Sequence, residues 1–153
     1  HTARADGRWR LYAFADRDAQ GCSPNYDALI QFLGQDPESP LRRFTPAGAD
    51  VDAVFDLRGV HQGSHTETTV ADLPALLVPA KGKYGLRDYE KAFASQLVDG
   101  GEEIYEARGI DRAAGALVVV RPDQYVSMVL PLDGTAALTE FFAQFMAETV
   151  VAA

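Results

Sequence analysis

The chain has 153 residues, enough for one domain with a hydrophobic core of its own. Its 47% hydrophobic and 24% charged residues are typical of folded globular proteins and exclude an intrinsically disordered chain. The net charge of −8 disfavours nucleic acids and anionic membranes as partners, because both carry negative charge.

Cys22 is the single cysteine of the chain. One cysteine cannot form an internal disulfide, so nothing indicates an oxidising compartment. No secretory signal is visible, and no apolar run reaches the roughly 20 residues of a membrane-spanning helix. We therefore expect a cytoplasmic protein. The chain starts at His1 without a methionine, and we expect it to be a processed protein or part of a longer polypeptide.

The first third of the sequence predicts a strand followed by a helix. Residues 9–15 are nearly all apolar, as in strands that are buried on both faces. Ser23 is a plausible N-cap and Pro24 suits the first helical position. Gly34 is a natural end for this helix. Its apolar residues recur at helical spacing, namely Tyr26, Leu29, Ile30 and Leu33.

The middle third predicts a loop, a second strand, an irregular segment and a second helix. Residues 36–50 contain three prolines and a glycine and are expected to form a loop. Alternating apolar residues predict a strand from Val51 to about Val60. Residues 61–69 are polar and expected to be exposed, and residues 73–79 are rich in proline and expected to be irregular. Apolar residues at helical spacing predict the second helix, which Gly100-Gly101 would end: Leu86, Tyr89, Phe93 and Leu97.

The last third predicts a hairpin and a closing helix. Two strands, residues 116–120 and 124–130, flank a turn at Arg121-Pro122-Asp123. A final helix starts at Asp133-Gly134-Thr135. Its apolar stripe consists of Leu138, Phe141, Phe142, Phe145 and Met146. The order strand, helix, strand, helix, hairpin, helix predicts a mixed α/β fold.

Two consecutive phenylalanines in this last helix give a hint of association. Phe141 and Phe142 cannot both point into the core of a helical stripe. One of them is expected at the edge of the core, where a partner surface could cover it.

The order of elements is similar to that of the thioredoxin fold. Cys22 falls near the first cysteine of the thioredoxin redox motif, and the start of a helix favours a negatively charged thiolate. The resolving position three residues later is Asn25, however, and Gly115 stands where thioredoxins carry a cis-proline. A single-cysteine thiol oxidoreductase or peroxidase that uses Cys22 is therefore an alternative function. A free-standing module that binds a small molecule or a protein is another.

A closer resemblance covers most of the chain. The blocks GRWRLYAFAD (7–16), YGLRDYE (84–90) and VRPDQYV (120–126) are similar to the C-terminal domain of phenol 2-monooxygenases and 3-hydroxybenzoate hydroxylases. This resemblance implies a single thioredoxin-like domain over residues 1–153, at the C-terminal end of a longer FAD- and NADPH-dependent aromatic hydroxylase. It also implies two partners, the flavin-binding part of the same polypeptide and a second copy in a homodimer.

No catalytic, cofactor-binding or metal-binding residue is predicted in this chain. The Gly-rich strand–turn–helix fingerprint for flavin is absent, and the resemblance places the catalytic residues in the missing part. His61, His65 and Glu67 could ligate a metal, but Gly63-Ser64 indicates a loop, and we interpret both histidines as solvated. Arg121 and Asp123 are interpreted as hairpin-turn residues that pair locally.

Overall fold

The computed structural model describes residues 6–66, 69–96 and 103–147. Its helices and strands are, in chain order, β1 (Trp9–Phe14), α1 (Pro24–Gln35), α2 (Pro40–Phe44), β2 (Phe55–His61), β3 (Ala80–Lys81), β4 (Leu86–Arg87), β5 (Ala92–Ala94), α3 (Ile104–Arg108), β6 (Ala116–Val120), β7 (Val126–Leu130) and α4 (Thr135–Ala143). Two single-turn 3-10 helices, Val70–Asp72 and Ala75–Leu77, lie between β2 and β3. None of the helices within the described ranges is long and apolar enough to span a membrane.

One mixed sheet organises the fold, with the strand order β5-β2-β1-β6-β7. β1 runs parallel to β2, from Trp9 opposite Phe55 to Phe14 opposite Val60. β6 runs antiparallel to β1, and β7 returns antiparallel to β6. A parallel β1-α1-β2 unit, joined to an antiparallel hairpin and a closing helix, is the thioredoxin-like arrangement, which confirms the predicted fold class. β3 and β4 form a separate two-stranded hairpin.

The main core lies between one face of this sheet and the helices α1, α2 and α4. Leu11 and Ala13 of β1 are fully buried on that face. All four apolar residues predicted for the buried face of α1 are buried. In α4, Leu138 and Phe142 are fully buried. Burying a large apolar side chain contributes about 1.5–3 kcal/mol, so this layer holds much of the stability.

The start of α1 is capped in a way that the sequence pattern did not predict. Ser23 occupies the N-cap position, but its side chain makes no capping hydrogen bond to the helix and instead donates to the Asp16 carbonyl oxygen. The Asp16 carboxylate accepts the backbone N–H groups of Asn25 and Tyr26, at 3.1 and 3.0 Å. The helix then continues through the predicted stop at Gly34 to Gln35.

The helix predicted over residues 86–97 is wrong. Leu86 and Tyr89 are largely exposed, so their helical spacing reflects no common buried face. Gly82 and Gly85 both adopt positive φ and form the tight β3–β4 turn. Phe93 lies in the edge strand β5 opposite Val60. Leu97 lies outside the described residues.

Smaller differences concern element boundaries. The predicted loop over residues 36–50 contains α2, which starts with Ser39 as N-cap and Pro40 as first residue. The second strand starts at Phe55 rather than Val51 and continues to His61. The sequence predicted no helix at residues 104–108, which form α3 and end at Gly109 in the left-handed conformation. The last two residues of the predicted α4 stripe, positions 145 and 146, follow the end of that helix.

Candidate interaction surfaces

The surroundings of Cys22 do not assemble a thiol redox site. Cys22 is exposed and lies in the loop before α1, where its backbone N–H donates to the Asp18 carboxylate at 2.8 Å. Asn25, at the resolving position, donates its side-chain amide to the Asp16 carboxylate at 2.9 Å. Because this carboxylate already accepts the N–H groups at the start of α1, the positive end of the helix is compensated there. The geometry provides neither a second thiol nor a free helix terminus for Cys22.

Gly115 is required by close packing. It adopts a φ of 65°, and a Cβ at this position would collide with the Phe14 carbonyl oxygen and lie 2.7 Å from a Leu132 methyl group. The end of β1 therefore approaches the start of β6 at backbone level. This contact leaves no room for the proline that thioredoxins carry at the comparable place.

His61 is not the solvated loop residue that the sequence predicted. It ends β2 and is half-buried, and its Nε2 shares a hydrogen bond of 3.3 Å with the Tyr26 hydroxyl. Burial lowers the pKa of His61, although the nearby Asp27 carboxylate acts in the opposite direction. Burial also raises the pKa of Tyr26 far above its ordinary range. The pair is therefore held neutral inside the fold at physiological pH.

The residues considered as metal ligands form no metal site within the part of the chain that the structure describes. His65 is exposed, and Glu67 lies outside the described residues. Within the described ranges, no group of three or more His, Cys, Asp or Glu side chains is arranged to hold a metal ion. His61 and His65 instead share a cavity of about 170 Å³ with apolar neighbours such as Phe93.

A buried ion cluster is the main polar feature that the sequence did not predict. Lys91 Nζ lies 2.7 Å from the Asp52 carboxylate and 2.6 Å from that of Asp56, and all three residues are almost fully buried. Lys81 lies 2.7 Å from Asp52, and the buried Arg10 lies 3.8 Å from Asp56. Burial alone would raise the pKa of Asp52, but hydrogen bonds from Lys81 and Lys91 outweigh it and lower this pKa. We refer to these five residues as the ion cluster.

Further charges extend the ion cluster towards the surface. Arg8 contacts Asp52 at 2.9 Å, Arg58 contacts Asp56 at 3.0 Å, and Lys81 contacts Asp88 at 3.3 Å. These pairs connect the start of β1 and β2 to the β3–β4 hairpin. Because each of the three acids contacts bases from different parts of the chain, the cluster acts as a structural clamp.

Helix α3 packs on the same face of the sheet as the ion cluster, at the opposite end of β1 and β2. Tyr105 of α3 is fully buried, and its hydroxyl donates to the Ala15 and Val60 carbonyl oxygens at 2.8 and 3.1 Å. Its ring meets that of Phe14 edge to face. These contacts fix α3 over the carboxyl ends of β1 and β2.

Two patches of exposed apolar side chains remain on this scaffold. The first, the hairpin patch, consists of Tyr84, Leu86 and Tyr89, which are 57–77% exposed. The second, the β7 patch, consists of Tyr125, Val126 and Val129, which are 60–72% exposed. Contiguous exposed apolar side chains of this kind are typical of interaction sites.

One of the two consecutive phenylalanines of α4 lies at the edge of the core, as predicted. Phe142 is fully buried, whereas Phe141 lies at the edge of the core. Phe145 is 54% exposed and packs on Trp9, with ring centroids 5.6 Å apart. Trp9 opens β1 at the end of the sheet where β7 begins.

Comparison with known proteins gives a family match over almost the whole chain. The family model of the phenol hydroxylase C-terminal dimerisation domain matches residues 1–150. The chain belongs to this family. The family resemblance read from the three sequence blocks is therefore confirmed.

Relatives of this dimerisation domain are much longer proteins. The chain is 54% identical over 147 residues to a 3-hydroxybenzoate 4-monooxygenase of Comamonas testosteroni, and this match covers 95% of the chain and 23% of that protein. It is 32% identical over 145 residues to the FAD-dependent monooxygenase terD of Aspergillus terreus, covering 93% of the chain and 24% of that protein. A phenol 2-monooxygenase, fsqG of Aspergillus fumigatus, is 26% identical over 147 residues, covering 93% and 22%. The chain spans about a quarter of the length of these relatives.

Because the chain belongs to a family of dimerisation domains, its candidate functional sites are surfaces for protein contacts. The side chains singled out for chemistry, at positions 22, 61 and 65, are separated or structurally engaged. The two exposed patches are the features suited to protein contacts. The hairpin patch had a signal in the sequence, because Tyr84, Leu86 and Tyr89 stand among glycines and charged residues. The helical spacing of Leu86 and Tyr89 concealed this signal.

Proposed function

We propose that this chain is the C-terminal structural and dimerisation domain of an FAD- and NADPH-dependent aromatic monooxygenase of the phenol hydroxylase type, without a catalytic site of its own. The observation that carries this proposal is the extent of the matches. They cover nearly the whole chain but only 22–24% of each relative, two of which are named as hydroxylases of phenolic rings.

The extent of the matches indicates which role belongs to this chain and which to the rest of the polypeptide. FAD would be bound by the polypeptide outside this chain and would supply the oxygen-transfer chemistry there, with NADPH as reductant. This chain contributes a rigid scaffold, closed by the ion cluster and by Tyr105. The scaffold presents the hairpin patch and the β7 patch to the flavin-bearing part and to a second copy. The domain is accordingly proposed to act in the cytoplasm, as one folded unit over residues 1–153.

Two measurements on the 153-residue chain test the proposal. Sedimentation velocity should show a reversible dimer, and the purified chain should show none of the visible absorbance of bound flavin. Tight, stoichiometric flavin on this chain would contradict the assignment of FAD to the rest of the polypeptide. A chain that stays monomeric at every concentration would contradict the dimerisation role.

The thiol alternative is tested by a matched pair of proteins. Peroxide reduction should be equally negligible in the wild-type chain and in Cys22→Ser, since the thiol lacks a resolving partner at position 25. Turnover that disappears in Cys22→Ser would replace the structural role with an enzymatic one.

A further inference from the structure

We propose that two copies of this chain associate through β7, edge to edge and antiparallel, so that their five-stranded sheets join into one continuous sheet. The inference rests on the proposed dimerisation function and adds the surface that performs it. The partner proposed for the β7 edge is a second copy of this chain.

The edge of the sheet formed by β7 is unprotected. β7 is the outermost strand and pairs on one side with β6, while no strand of the described residues pairs with its other side. Soluble proteins protect such edges with charged side chains or prolines, because an open row of N–H and C=O groups recruits other strands. β7 has the sequence VSMVL and contains neither. The opposite edge, β5, has only three residues and follows directly on Lys91.

Part of this edge pairs regularly. The irregularity in the β6–β7 pairing falls between Val119 and Val120 of β6, and Ser127 of β7, between Val126 and Met128, has no partner in this register. From Met128 to Leu130 the strand pairs regularly with β6. The regular end of β7 can accept a further strand, whereas a bulge such as the one at Ser127 bends the strand locally.

The absence of charged side chains around β7 also favours association of two copies. Two copies that each carry a net charge of −8 repel one another wherever acidic surfaces meet. Residues 124–132 contain no charged side chain. In the turn before them, Asp123 is neutralised by Arg121 at 2.6 Å. This segment therefore allows close approach of two copies without like-charge repulsion.

The hairpin patch fits a second copy less well. Its three apolar side chains stand among charged ones, the bases Lys83 and Arg87 and the acids Asp88 and Glu90, and Lys83 lies over the Tyr84 ring at 4.7 Å. Self-association through this hairpin would bring these charges into the interface. The uncharged β7 edge has no such conflict, and antiparallel pairing of identical strands closes at a two-fold dimer.

Charge insertion at exposed positions provides the direct test. In the double variant Val126→Lys/Val129→Lys, four new lysines meet across the two-fold axis, and we expect the dimer dissociation constant to rise by at least about 100-fold. The control Tyr84→Lys/Leu86→Lys makes the same chemical change on the hairpin patch and should leave that constant unchanged. Both pairs replace side chains that are more than half exposed, so the fold is preserved, and circular dichroism checks this.

Symmetric cross-linking tests the geometry. An antiparallel two-fold pair of strands places one residue opposite its own copy, at a distance that a disulfide can bridge. Single cysteines at each of the five β7 positions, in a Cys22→Ser background, should yield one position that forms a covalent dimer under mild oxidation. Leu86→Cys in the same background should form no covalent dimer.

The outcomes separate this inference from the proposed function. A dimer that survives the β7 lysines, or that forms no disulfide at any β7 position, overturns the edge-to-edge assignment while leaving the dimerisation role intact. A dimer that dissociates in the hairpin variant alone moves the interface to the hairpin patch. A chain without any self-association overturns both.

Discussion

At the scale of single residues, the closest approach between α1 and the sheet depends on Gly59. A Cβ added at this position of β2 would collide with the Tyr26 hydroxyl oxygen and lie 2.8 Å from a Leu77 methyl group. Tyr26 is itself fixed by its hydrogen bond to His61. The absence of a side chain at Gly59 thus makes room for a buried polar pair.

Gly59→Ala should destabilise the chain by about 2 kcal/mol, because the added methyl overpacks a closed site. Removing the hydroxyl in Tyr26→Phe relieves the closest clash, so the same glycine substitution should cost less in that background. Urea unfolding of the wild type, both single variants and the double variant measures this coupling. Strictly additive costs would show that the hydroxyl is not what excludes a side chain at position 59.

At the scale of elements, the sequence predicted those whose signals are local. β1, α1 and β6 were recognised because their apolar runs, their spacing or their caps lie within a few consecutive residues. The segment over residues 86–97 failed because Leu86 and Tyr89 mimic helical periodicity while pointing to solvent. Periodicity reports a buried face only when its members are buried, and a single sequence does not say which apolar residues are.

The ion cluster was missed for a different reason. Lys91 and Asp56 are 35 residues apart in the chain, and their contact depends on β5 lying beside β2. Charged residues are mostly exposed, so the residue types alone gave no sign that these side chains are buried together. Arg10, inside an otherwise apolar strand, was the one local signal that charge would be buried there.

Lys91→Met should destabilise the chain by about 3–5 kcal/mol, because it leaves two buried carboxylates without their shared cation. Lys83→Met makes the same substitution on an exposed side chain of the hairpin and should cost less than about 1 kcal/mol. Chemical denaturation of both variants gives the comparison. Equal small losses would mean that water reaches Asp52 and Asp56 and that the cluster does not clamp the hairpin.

At the scale of the whole molecule, the chain combines an acidic surface with two apolar patches on a rigid sheet. The fold class and the family could be predicted because three sequence blocks carry them. The exposed apolar patches could not, because exposure of Val126 and Val129 follows from their place on the outermost strand of the sheet. An apolar strand at an edge and one in the centre look alike in sequence.

The stability of the whole chain should also depend on pH in a defined direction. Burial lowers the pKa of His61 below its ordinary value of about 6.5, so the unfolded chain binds a proton more readily than the folded chain. The contribution of His61 to stability should therefore be constant above pH ~6.5 and decrease as the pH falls from there to the folded pKa of His61.

His61→Gln tests this assignment, because glutamine keeps an acceptor for the Tyr26 hydroxyl but does not titrate. The unfolding free energy is measured by urea denaturation at neutral pH and at about one unit below pH 6.5. The wild-type chain should lose stability between the two conditions, whereas His61→Gln should lose less. An equal decrease in both proteins would mean that another group titrates in this window. No decrease in the wild type would mean that His61 is protonated as easily inside the fold as outside it, and that the neutral Tyr26–His61 pair does not exist in solution.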